Sequence, residues 1–184
     1  MSLKIVKLAS EVEQSDNFHL ARLLILLAAA ARTSNKPLQG IMKLAKMDFL
    51  LRYPNCLARV LEDQGKTALA AKIPKEERDT IEAKMIRFRY GPWDSRYRKW
   101  VSLLVAKGAC TTYLSGRTVN VKLTELGAKI AATLQKKLEF AELASRGKLV
   151  NTAVGTMGAT ALKDYIYRVI PEIVSMRWGD NIEI

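Results

Sequence analysis

The chain has 184 residues, nearly half of them apolar, enough for one domain with a real hydrophobic core. It carries 30 Lys and Arg against 18 Asp and Glu, a formal charge of +12, which points to a polyanionic or acidic partner or to a basic solvated surface. The two cysteines lack any CxxC or Cys/His spacing and His19 is the single histidine, which argues against a zinc site; the longest apolar run, Leu23 to Ala31, is far short of the ~20 residues that span a bilayer.

Residues 1–15 show only a weak apolar pattern (Leu3, Val6, Leu8), that of an arm, and no leader segment is evident, so a reduced, cytoplasmic setting is expected. Asp16 or Asn17 is placed to cap a helix, and Leu20, Leu23, Leu24, Leu27, Ala28 and Ala31 follow at helical spacing. Ile25 and Leu26 make that helix apolar nearly all round. It is therefore a core helix or a docking helix for a second chain, with Leu24 as the candidate contact. Residues 33–37 read as a loop. The spacing predicts a second helix over 38–53, with Pro54 breaking or restarting it and further turns over 55–62. Residues 64–75, polar with Gly65 and Pro74, are the linker candidate.

The alternation in Ile86-Arg87-Phe88-Arg89-Tyr90 predicts a strand with both arginines on one face, ended by Gly91-Pro92. Asp94 then opens a helix with Tyr97, Trp100, Val101, Leu104 and Val105 as its stripe and Gly108 as its C-cap. Two β-rich runs between 109 and 123 flank Ser115-Gly116-Arg117, a tight turn in which glycine takes φ > 0. Thr124 caps a helix marked by Leu126, Ile130 and Leu134, and residues 159–169 form the last predicted helix. The predicted fold is mainly α with a small antiparallel β-sheet. The order helix, hairpin, helix is that of a winged helix. One compact unit is expected, made of a helical part (1–64), a basic winged-helix part (65–150) and a C-terminal helix and tail (151–184).

The charge is concentrated in the middle: residues 65–150 hold 18 basic and 8 acidic side chains, against 9 and 6 before them and 3 and 4 after. Five cations fall within thirteen residues, Arg87, Arg89, Arg96, Arg98 and Lys99, interleaved with Phe88, Tyr90, Trp93 and Tyr97. Cations beside rings suit nucleic acid, where arginine pairs with phosphate and rings stack on bases, and they suit an acidic protein groove equally. Arg117 and Lys122 on the hairpin join them as candidate contacts to nucleic acid or a partner. No Ser/His/Asp or Cys/His set can be assembled, the glycines at 155 and 158 are not followed by the Gly-Lys-Ser/Thr of a phosphate loop, and no cofactor, metal or catalytic residue is expected.

Several phrases resemble one family: Leu44-Ala45-Lys46-Met47-Asp48-Phe49-Leu50-Leu51-Arg52-Tyr53-Pro54, Met85 to Asp94 with Arg89-Tyr90-Gly91-Pro92-Trp93-Asp94 the distinctive part, Leu123-Thr124-Glu125-Leu126-Gly127, Ile170-Pro171-Glu172-Ile173 and Arg177-Trp178-Gly179-Asp180. They resemble the middle component of bacterial ABC-three-component systems, which include the small subunit of Lamassu-type antiviral defence systems. The resemblance spans roughly residues 18–184. It implies a non-catalytic, kleisin-like adaptor between an SMC-like coiled-coil ATPase and an effector, often a nuclease, in an assembly that senses foreign double-stranded DNA. It transfers no catalytic residues. Trp178 and Asp180 in the tail are then candidates for partner docking, with Asp94 a helix cap. The alternative is a free-standing dimeric winged-helix transcription regulator, paired through the Leu20–Ala31 helix.

Overall fold

Helix α1, Asp16–Ser34, is apolar on every side because every side is covered. Leu23, Ile25 and Leu26 have no exposed surface, and the helix packs against the helices at Ile41–Arg52, Tyr97–Ala106, Glu125–Leu134 and Ala141–Val154. Leu24, only 4% exposed, belongs to this core, so the expectation that it contacts a partner is corrected. The computed structural model describes residues 15–34, 37–78 and 84–184. The arm expected over residues 1–15 lies, apart from Ser15, outside the described residues.

Helix α2 (Ile41–Arg52) follows Gly40, whose φ of 95° lets the chain turn into it. Pro54 restarts the helix as expected: α2 ends at Arg52, and Pro54 stands at the first turn of α3 (Pro54–Asp63), where its missing N–H would lack an intrahelical partner anyway. The segment 64–75, read as a linker, is instead tied down. Ala70 and Ile73 are buried, and Gln64 Nε2 and Lys66 Nζ donate to the carbonyls of Ala153 and Thr152 at 2.9 and 3.1 Å.

Two hairpins follow. Strand β1 (Ile86–Phe88) pairs antiparallel with β2 (Gly91–Trp93), so Gly91-Pro92 begins a second strand where a strand end was expected. Gly91, at φ 117°, permits the return. The other side of β1 carries the tail: Arg87 N donates to Asp180 O at 2.8 Å, Gly179 N to Arg87 O at 2.8 Å and Ile182 N to Met85 O at 2.8 Å. Helix α4 (Tyr97–Ala106) leads through Gly108, at φ 68°, into β3 (Cys110–Ser115) and β4 (Thr118–Leu123), paired in full register around Gly116. Leu38 bridges the far side of β4, exchanging backbone hydrogen bonds with Val121 at 2.9 and 3.1 Å. Helix α5 (Glu125–Leu134) is capped by Thr124, whose hydroxyl accepts from Gly127 N at 3.0 Å.

Helix α6 (Ala141–Val154) was not expected. Its buried face mixes small, apolar and charged residues (Ala144, Arg146, Gly147, Val150), which blurs the helical period, and it runs unbroken through the 150/151 boundary. Helix α7 (Ala159–Val169) matches the expected span. The protein is mainly helical with two small antiparallel hairpins. Leu23, Trp100 and Ile166, from the three segments distinguished by charge, share one core cluster. Among the described residues no helix is long and apolar enough to cross a membrane.

Candidate nucleic-acid interface

The first fact about the basic residues is how many are inside. Arg22 and Arg52 have no exposed side-chain surface, and both grip Asp48: Arg22 at 2.8 Å across the gap between α1 and α2, and Arg52 at 2.9 Å from one turn further along α2. Arg52 reaches on to Asp94 at 3.1 Å, and Asp94 in turn holds Arg96 at 2.8 Å. The indole of Trp100 lies beneath three guanidiniums, with Arg22, Arg52 and Arg96 at 5.6, 5.5 and 4.8 Å from its ring. Burial alone would raise the Asp48 carboxyl; the two arginines outweigh it and hold the carboxyl below its ordinary value. Asp94 accepts from Arg96 N at 3.0 Å two residues on, a turn that leads into α4, while Arg96 itself stands at the helix cap. The expectation that Asp94 is the cap is corrected accordingly.

One of the candidate cations is buried, and others are engaged by carboxylates at the surface. Arg87 is 8% exposed, donates to Ile173 O at 2.9 Å and to the carbonyl of Phe88, and stacks over Tyr167 at 4.9 Å. Its assignment as a binding residue is corrected: it joins β1 to the C-terminal turn at 172–175. Arg89 is exposed on the turn beyond β1, so the two arginines do not share a face. Arg96 is committed to Asp94, and Lys99 pairs with Asp16 at 2.6 Å. Lys122 is exposed at a separate recess beside Leu27, Leu38 and Glu125. In the tail, Trp178 is 65% exposed, whereas Asp180 closes its own turn, accepting from Arg177 N at 2.8 Å.

The remaining two candidates, Arg98 and Arg117, meet across a groove of about 920 Å³ framed by the start of α2, the β1–β2 hairpin, the β3–β4 hairpin and the start of α7. Two lysines absent from the expected set complete it, Lys46 from α2 and Lys163 from α7. Arg98 and Arg117 have no ion pair among the described residues, and no carboxylate lines the groove. Three rings share its walls: Tyr90, Trp93 and Tyr113. Tyr113 stands directly opposite Asn120 in the β3–β4 register, so both side chains emerge on one face. Asn120 is 3% exposed, and its Oδ1 has no hydrogen-bond partner among the described residues.

Lys46 is the most constrained of the four cations. Its stem and that of Lys163 converge on Gly91: a Cβ there would lie 3.3 Å from Lys46 Cε and 3.9 Å from Lys163 Cγ. Lys46 Nζ donates to Met42 O at 3.2 Å. Burial, with the nearby charge of Lys163 adding to it, lowers the ammonium to about 8. The only trace of Lys46 in the sequence is a lone charge between Ala45 and Met47. Lys163 and Asn120 have none, because their meeting depends on segments more than forty residues apart.

Chemically the groove suits an anion. It has positive charge, hydrogen-bond donors and ring faces, and among the described residues no carboxylate in its walls to serve as a base. The cysteines offer no thiolate either, since burial pushes Cys56 up to about 12 and Cys110 up to about 11. Comparison with protein families, with curated proteins and with solved structures finds no match to this chain.

Proposed function

We propose that the chain is a non-catalytic, nucleic-acid-binding adaptor subunit built on a winged helix. The observation that carries this reading is the groove: four cations and three rings, with no carboxylate in its walls among the described residues. In the winged-helix reading, α4 precedes the wing, β3–β4 is the wing, and Leu38 is what remains of the first strand beside it. The resemblance of the Arg-Tyr-Gly-Pro-Trp-Asp phrase and its companions supplies the partner class: an SMC-like coiled-coil ATPase and an effector nuclease, acting in the cytoplasm against foreign DNA. The dimeric regulator is the weaker reading, because the α1 surface that would pair two copies is occupied by the protein's own core.

The test is fluorescence anisotropy with labelled DNA across a salt series. Arg98→Ala with Arg117→Ala weakens binding equally for all sequences and flattens the log–log salt slope by roughly 0.9 per lost phosphate contact. Arg96→Ala with Lys99→Ala has a smaller effect, since both side chains are engaged by carboxylates. Tight binding to one operator, with ~1–3 kcal/mol lost per base change, would replace the adaptor by a regulator. Co-purification with the product of a neighbouring coiled-coil ATPase gene tests the partner.

A further inference from the structure

We infer that the groove seats an unpaired nucleic-acid strand, with a phosphate between Lys46 and Lys163 and bases against Tyr90 and Tyr113. This deepens the nucleic-acid reading above and rests on it. Three independent features of the groove point the same way.

The first is the rings. Tyr90 and Tyr113 are each about half exposed, 49% and 48%, and both line the groove. Among the described residues no other ring or cation stacks on Tyr113, and Tyr90 has only Arg89 at 5.3 Å. A ring can stack on a base only if that face of the base is open. In a duplex the faces are covered by neighbouring pairs, so exposed rings set among cations serve an unpaired strand.

The second is the lysine pair. Two ammonium-bearing stems converge on Gly91, and the nearest carboxylate, Asp164, pairs with Lys163 at 3.0 Å but lies outside the groove walls. Among the described residues Lys46 has a carbonyl and no carboxylate of its own. An entering phosphate relieves the repulsion between the two cations.

The third is Asn120. A buried amide oxygen without a partner leaves an unmet hydrogen bond, and the exocyclic amino or ring N–H of a base stacked on Tyr113 is placed to supply it. An acidic peptide would satisfy the lysines but leave the rings and this acceptor unused.

The experiment compares the intact chain with labelled oligo-dT, a blunt duplex of matched length and poly-L-glutamate as competitor. Oligo-dT binds at least about tenfold more tightly than duplex. Tyr113→Ala and Tyr90→Ala each weaken oligo-dT binding by roughly five- to a hundredfold, as expected for a lost stacking platform, and leave duplex binding unchanged; Tyr113→Trp restores it. Both tyrosines are exposed, and unchanged circular dichroism confirms that the variants fold. If duplex binds as tightly as oligo-dT, or the tyrosine variants bind normally while Arg98→Ala with Arg117→Ala does not, the unpaired-strand inference falls and the nucleic-acid reading stands. If neither DNA binds, both fall. If poly-L-glutamate displaces oligo-dT at equal charge concentration, the groove belongs to an acidic protein.

Discussion

The carboxylate of Asp48 is held by the guanidinium of Arg22 in a two-point contact of 2.8 and 3.1 Å, and neither side chain has exposed surface. Tyr97 adds a third donor, its hydroxyl 2.5 Å from Asp48, and Arg52 a fourth. Ion pairs removed from water stabilise little by themselves, but removing one member leaves an uncompensated buried charge. Asp48→Asn therefore lowers the unfolding free energy by roughly 3–5 kcal/mol, read from the midpoint of a urea transition. A loss of under about 1 kcal/mol would mean that the cluster is hydrated.

The same cluster makes the protein sensitive to acid. Burial raises the Asp94 carboxyl, but hydrogen bonds from Arg96 and the charge of Arg52 outweigh it and hold it at about 2, against an ordinary 3.8. Between those values the unfolded chain binds the proton more tightly, so the stabilisation, about 2 kcal/mol, is present above pH 3.8 and lost as pH falls towards 2. Unfolding measured from pH 5 to 2 shows this fall, and Asp94→Asn removes this part of the slope while lowering stability at neutral pH.

Gly127 is required by packing, although it sits within α5, where alanine is the better helix former by ~1 kcal/mol. A Cβ there would lie 1.9 Å from the carbonyl oxygen of Ala109 and 3.1 Å from Leu123. Gly127→Ala pushes α5 away from the root of the β3–β4 hairpin, and a net loss of roughly 1–3 kcal/mol is expected by thermal denaturation. A stabilised variant would show that the helix can move outward freely.

Lys46 gives polyanion binding a pH signature. Among the described residues the charged groups acting on it are Lys163 and Asp164 from α7; the hairpin brings the backbone of Gly91 against its stem, and Lys43 on its own helix is turned to Gly155 O at 2.7 Å. A bound phosphate favours the ammonium and raises its value from about 8. Affinity is then level below pH 8 and weakens as pH rises through 8 to 9. Lys46→Arg, which stays charged, abolishes the dependence in an anisotropy titration.

The bond from Gly179 N to Arg87 O ties the segment that carries Trp178 to the edge of β1, and the indole is 65% exposed. A large exposed indole supports docking. Trp178→Ala leaves stability within about 0.5 kcal/mol and reduces co-purification with the ATPase partner. A drop in Tm comparable to a core truncation would assign Trp178 to the fold instead.

Much of the helical frame is legible along the chain because its cause is local. The period in Leu20 to Ala31, the Thr124 cap, Gly108 at the end of α4 and Gly116 in the hairpin each act over a few residues, and each stands where its chemistry places it. Helix α6 escapes this reading because the residues it buries include Arg146 and Gly147, whose burial depends on what packs against them.

The composition alone determined that the protein is basic, and its hydrophobic period that α1 is covered on all sides. Which cations face outward was decided only by the tertiary structure. Arg22, Arg52 and Arg87 are as charged in the sequence as Arg98 and Arg117, but carboxylates, carbonyls and rings brought from distant segments draw the first three inward. Lys46 and Lys163 become one site for the same reason: charge is a property of a residue, whereas the dielectric and the partners around it exist only once the chain has folded.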